Sequence, residues 1–287
     1  MKKTGIAIAF TLLTAAAGQA QTLSFVGGTD ISTQFNPAFY EASGLGLTKN
    51  QNGLWSISDG ELKVYKLNLN GTSAESFVPT PVNSGSTVGS IDFEGVTYAP
   101  PPSGITDDHF IYIANEAAQG ILPVNYSTQQ YYAQKLLSNM TGYSSVGCTG
   151  GGTVSSAFSG SDANSGLEGI TWDGTYFYVI KEKDPGLIVR ISANLTQILA
   201  CKILSLPSAT DYSDISYDPT RGKFWIASDE AENVYLYDWS TNSMVKGWHL
   251  GIANMEGIAF NPSDSRLSIA TDNGDGSDSY LYVYSVQ

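Results

Sequence analysis

Three segments of the sequence set a glutamate, a glycine, a branched apolar residue, one further residue and an aromatic in a row: FEGVTY from Phe93, LEGITW from Leu167 and MEGIAF from Met255. Carboxylates serve as general acids, general bases or hard oxygen ligands for cations. Each segment is followed by a second apolar stretch ending in another acid: FIYIANE at Glu116, YFYVIKE at Glu182 and RLSIATD at Asp272. Two more copies keep the second half and vary the first. SGLGL from Ser43 leads to LWSISD, ending at Asp59, and SDISY from Ser213 leads to FWIASD, ending at Asp229.

The elements that position these acids follow from the spacing. Each copy continues into a third alternating stretch, as in LKVYKLNL from Leu62 or NVYLYDW from Asn233, and the first four copies offer a fourth. A repeated four-stranded unit of about 40–50 residues is a β-propeller blade. The fifth copy runs out of chain at Gln287, and TLSFVGG from Thr22 is available as its missing outer strand. The expectation is an all-β, five-bladed propeller closed by the N-terminal strand, which removes open sheet edges. The longest interval, between Glu94 and Glu168, holds SSVGCTGGGTVSSAFSGSDANSG. It lacks alternation and reads as a Gly/Ser-rich insertion at about 138–163; were it a blade, the count would be six.

In such a blade the first strand lies innermost and the second returns antiparallel to it. The start of one and the end of the other then share a face. Glu94, Glu168, Glu256, Glu116, Glu182, Asp59, Asp229 and Asp272 are therefore expected at one mouth of the central channel. Like charges gathered there raise one another's pKa, and a cation relieves them. Ca²⁺, which takes six to eight oxygens in loose geometry, is the expected cofactor. The competing explanation is that each acid only fastens its blade to the next by accepting backbone N–H groups.

Composition narrows the remaining classes. Charged residues make up 14% of the chain, with 17 Tyr and 30 Gly, which favours strands and turns over helices. The net charge of −13 excludes nucleic acid as a partner. Lys2 and Lys3, the apolar run GIAIAFTLLTAAAG and the small-residue ending GQA make residues 1–20 a secretory signal peptide. This run is too short for a transmembrane segment, and no second one follows. A single exported domain over 21–287, periplasmic or extracellular, is expected, with a monomer favoured. Cys148, in the insertion, and Cys201, on the third blade's outer strand, are left open between a disulfide and two thiols.

LEGITWDGTYFYVIKEKDPGLIVRI, DYSDISYDPTRGKFWIASDEAENVYLYD and MEGIAFNPSDSRLSIATD resemble the SdiA-regulated (YjiK-like) propeller family, over nearly the whole mature chain. The resemblance implies the fold and an exported or envelope location, and very little about activity. Asp214 stands where that family's pattern has Gly. A weaker likeness to phytase-like and gluconolactonase-type propellers implies acids at a metal-bearing channel mouth.

Other candidates for chemistry carry less. His109 and His249 stand apart from any nucleophile motif, which argues against a Ser-His-Asp triad. TDNGDGSDS from Thr271 has the acids and glycines of a calcium loop without EF-hand register. Lys181 and Lys183 flank Glu182 as charge-balancing neighbours. The resulting expectation is a Ca²⁺-binding module for a small-molecule or protein ligand. The alternative is a Ca²⁺-dependent hydrolase of phosphoesters or lactones, with Glu168 and Glu256 as candidate catalytic bases.

Overall fold

The computed structural model describes residues 21–36, 38–159, 165–272 and 278–287. The expected signal peptide, residues 160–163 of the insertion, and Asn273 and Asp275 of the calcium-like loop lie outside the described residues. Five sheets, each built on antiparallel strands, form a ring, the arrangement of a five-bladed β-propeller. Blade 1 runs Ala42–Leu47, Gly53–Ser58, Val64–Asn68 and Ser73–Phe77 from the axis outward. Blade 4 runs Asp214–Asp218, Lys223–Ser228, Asn233–Asp238 and Ser243–His249. Blade 5 takes Met255–Asn261, Arg266–Thr271 and Tyr280–Val286 from the C-terminus, and Leu23–Asp30 completes it, with Leu23 opposite Val286.

Blades 2 and 3 depart from the simple repeat. Blade 2 has Phe93–Tyr98, Phe110–Asn115 and Gly120–Asn125, but its outer strand is split into Gln130–Tyr131 and Lys135–Leu136. Pro123 faces the break and has no N–H to donate, so the ladder loses a rung and the pairing resumes one residue out of step. Thr80–Pro81, from the linker after blade 1, pairs parallel with the first half. Blade 3 has Leu167–Trp172, Tyr176–Lys181, Leu187–Ser192 and Ile198–Ile203. The insertion before it adds Cys148–Thr149 as a fifth strand parallel to the outermost one. A disulfide joins Cys148 to Cys201, with the Cα atoms 4.4 Å apart.

Burial follows distance from the axis. The second strands GLWSIS and FIYIAN are buried at every position, because both faces meet a neighbouring blade. The outer strand SMVKGWH is mostly exposed. The core is accordingly divided among the interfaces between consecutive blades, such as Trp55, Ile57, Val96, Ile111 and Ile113 between blades 1 and 2. The insertion adds Met140, Val154 and Phe158 to the core between blades 2 and 3, next to Leu137. Among the described residues, no helix is long and apolar enough to cross a membrane.

Candidate functional site: an acidic channel mouth

The inner strands converge at the axis because small residues let their backbones touch. A Cβ on Gly44 would lie 2.4 Å from the Glu94 carbonyl, and one on Gly95 would lie 2.7 Å from Gly169 Cα. Those are the glycines of the repeated motif, and they explain its second position. The glutamate before each has a separate explanation. Phe93 pairs with Asn115 and Gly95 with Ala114, which leaves Glu94 as the extra residue of a β-bulge; Glu168 and Glu256 occupy the same bulge in their blades. Bulges re-aim side chains, and here all three carboxylates line one cavity of about 250 Å³.

The acids after the second strands meet them there. Each stands one residue beyond the strand it was expected to end, since those strands close at Ser58, Asn115, Lys181, Ser228 and Thr271. Asp59, Glu116, Glu182 and Asp272 join Glu94, Glu168 and Glu256 in lining the cavity. Asp229 does not line it: its Oδ1 accepts the Met255 N–H at 3.2 Å and so fastens blade 4 to blade 5. Glu116 plays a double part, lining the cavity while its Oε1 accepts the Gly166 N–H of blade 3 at 2.7 Å.

Two triads of carboxylates offer oxygens within 4.8 Å of one another, Asp92–Glu94–Glu116 and Glu116–Glu168–Glu182, with Glu116 common to both. Glu116 also shares hydrogen bonds with the Asp92 and Glu168 carboxyls. Ser43, in the glutamate position of blade 1, donates its hydroxyl to Glu94 Oε2 at 2.8 Å. Lys183 reaches Glu182 Oε1 at 2.7 Å, while Glu182 Oε2 is buried without a hydrogen-bond partner. Lys181 is fully buried, its Nζ bonded to the Lys183 carbonyl and set over the Phe158 ring of the insertion.

Burial dominates the electrostatics. It pushes Glu94 and Glu168 well above the ordinary carboxylate range, and neighbouring acids add to the push. Glu116 is raised to about 7 and Glu256 to about 8, again chiefly by burial, with Asp92 and Asp229 respectively contributing repulsion. Glu182 moves up by burial, against the Lys183 ammonium.

Sequence reading missed three members of this neighbourhood and gave a fourth no role. Asp92 lines the cavity. Glu41 is raised by burial and by Asp59. Asp211, buried, accepts the Ser228 hydroxyl at 2.8 Å and the Asp229 N–H at 2.9 Å. All three precede the repeat position of their blade by two residues, a regularity visible in the sequence once the repeat is aligned.

The fourth is Asp214, in the glycine position of blade 4. Its carboxylate is wholly buried at the axis. Oδ2 accepts the N–H of Leu45 in blade 1 at 3.2 Å and of Ile258 in blade 5 at 2.8 Å, and Oδ1 accepts that of Ile215 at 2.7 Å. It also lies 2.5 Å from where a Cβ on Gly169 in blade 3 would sit. One side chain thus fills the centre of the ring and ties together blades that are not neighbours in sequence. Burial pushes its carboxyl up and the three N–H donors pull it down, with burial prevailing.

No curated protein matches the chain at a significant level. Among solved structures, the glutaminyl cyclase of Myxococcus xanthus superposes with a TM-score of 0.59 at 12% identity, covering 93% of this chain and 98% of that one. A luciferin-regenerating enzyme gives 0.49 at 11% identity, over 86% and 92%. At these identities the likeness concerns the fold alone. The SdiA-regulated family matches residues 29–264, and those residues carry the three bulged Glu-Gly strands, the axial aspartate and the acids beyond the second strands of blades 1 to 4. The chain belongs to the SdiA-regulated family.

Proposed function

We propose that the protein is an exported propeller whose acidic mouth binds Ca²⁺ and presents it to a small-molecule or protein ligand. The observation that supports this most is the pair of carboxylate triads sharing Glu116, together with the unpartnered buried Oε2 of Glu182. The lining is made of carboxylates and one serine, without histidine or cysteine, which is a hard-oxygen donor set. The loose spacing suits calcium better than the strict octahedron that magnesium requires. The disulfide is in keeping with an oxidising compartment outside the cytoplasm. Calorimetric titration of the purified protein with CaCl₂ and MgCl₂ tests the metal; saturable binding of calcium, weakened in Glu168→Gln, is expected, and no heat with either ion would refute it.

A second reading is Ca²⁺-dependent hydrolysis of a phosphoester or lactone. It is favoured by the burial of Glu116 and Glu256 among other acids, which raises their carboxyls to about 7 and about 8, the range useful for proton transfer. Turnover of p-nitrophenyl phosphate or of a δ-lactone, abolished by chelator and by Glu256→Gln, would establish it. Absence of turnover in a calcium-loaded protein leaves the binding module.

A further inference from the structure

The repeated motif has a second conspicuous position that the acidic mouth does not use. Four residues after the glutamate position stand Leu47, Tyr98, Trp172, Tyr217 and Phe260, aromatic in four blades of five. Four strand residues span about 13 Å, so these side chains lie at the other end of the inner strands. There they border a cavity of about 290 Å³, with Leu45, Ile170 and Ile215 also in its lining. Phe260 is buried in the core between blades 4 and 5, against Trp225. Tyr98, Trp172 and Tyr217 are only half-buried. Two of them are braced by rings of their own blades, Trp172 by Phe177 at 4.7 Å and Tyr217 by Phe224 at 5.2 Å.

The polar groups around this cavity are largely consumed by the fold. Thr171 Oγ1 accepts the Tyr217 N–H and Ser216 Oγ the Phe260 N–H, both at 3.0 Å. Asp173 Oδ1 accepts the N–H groups of Thr175 and Tyr176 at 2.7 Å. Lys49, the one cation in the lining, is paired with Asp108. The hydroxyls of Tyr98 and Tyr217 and the indole N–H of Trp172 make no hydrogen bond among the described residues. What remains is a set of rings with donors at their edges and both lining charges already engaged.

We propose that this mouth binds an uncharged, flat ring compound carrying hydrogen-bond acceptors on its edge, which stacks on Trp172 and receives hydrogen bonds from Tyr98 and Tyr217. A concave, mainly apolar cavity with a few convergent polar groups is the usual form of a small-molecule site. The lack of an unpaired charge selects against ionic ligands, because a charge desolvated here would meet no partner. This site is independent of the acidic mouth and of calcium.

The test is a fluorescence titration with Prodan, a neutral naphthalene bearing a ketone acceptor, on the full mature chain in chelator. Saturable binding at one site per chain with a blue-shifted emission is expected. The double variant Tyr98→Phe and Tyr217→Phe keeps the rings and removes the donors; it should weaken binding about fivefold or more, the effect of losing one to two ordinary hydrogen bonds. Leu47→Trp, which fills the cavity from blade 1, should abolish binding while thermal melting shows the fold retained. Phe25→Ser, on the 60% exposed outer edge of blade 5, should change nothing. Non-saturable binding, unchanged affinity in the double variant, or equal affinity for the sulfonated dye 1-anilinonaphthalene-8-sulfonate would overturn the proposal.

Discussion

The two mouths of the channel are built from opposite ends of the same five strands, and they handle polar groups in opposite ways. At the acidic mouth, bulges turn glutamates towards one another, and burial drives their pKa values up. At the aromatic mouth, oxygens of Thr171, Ser216 and Asp173 are spent on backbone N–H groups, and the lining is dominated by rings with donors at their edges. The lesson is that a repeat need not give a ring one character. One five-residue motif sets both, glutamate at one end and aromatic at the other, and the glycine between them lets the strands approach closely enough for either set to converge.

The largest effect expected from breaking this arrangement comes from its centre. Asp214→Ala leaves three buried N–H groups of blades 1, 4 and 5 without acceptors and opens the axis between the mouths. Each unsatisfied group costs about 1–3 kcal/mol, so a loss of about 3 kcal/mol or more is expected in urea denaturation. Asp214→Asn, which keeps an acceptor, should lose less. If both variants melt like the parent, the axial carboxylate does not hold the ring.

A smaller effect separates the acidic mouth from the aromatic one by pH. Glu116 and Glu256 have folded pKa values near 7 and 8, above the ordinary carboxyl value of 4.5. A raised folded pKa contributes stability that is present in full below the unfolded value and is lost as pH rises through the folded one. In chelator, the melting temperature should therefore fall as pH rises from about 4.5 through about 8, and calcium should remove much of that fall. A flat profile in chelator would mean that these acids do not repel one another as their burial implies. At the other mouth, Tyr217→Phe should change stability by no more than about 0.5 kcal/mol in urea, because the hydroxyl it removes makes no bond among the described residues. A larger loss would show that the hydroxyl has a structural role.

Much of this was legible in the sequence, for identifiable reasons. The blade count and the closure by Leu23–Asp30 could be read because strand alternation and the Glu-Gly motif recur in register with the fold. That seven of the eight expected acids would share one end of the channel follows from hairpin topology, although the bulges finish aiming three of them into the cavity. The bulges were not legible, since a period-two reading assigns every residue a partner and has no place for an extra one. Asp92, Glu41 and Asp211 were missed because they precede the strands, where alternation says nothing. Asp214 could be noticed as an acid in a glycine position, but its role depends on Leu45 and Ile258, contacts that only the closed ring creates. The split outer strand of blade 2 was concealed because Pro123 interrupts its neighbour and not the strand itself.

The central claim is that the acidic mouth exists for a cation and not merely to fasten blades. Thermal melting of the parent and of Glu168→Gln, each in CaCl₂ and in chelator, tests it most directly. The account predicts that calcium raises the melting temperature of the parent, that Glu168→Gln loses most of that rise, and that in chelator the variant is at least as stable as the parent, because the cost of burying an ionisable carboxyl among other acids is gone. Equal destabilisation of Glu168→Gln in both buffers, with no calcium effect on the parent, would contradict it and leave the acids as fasteners.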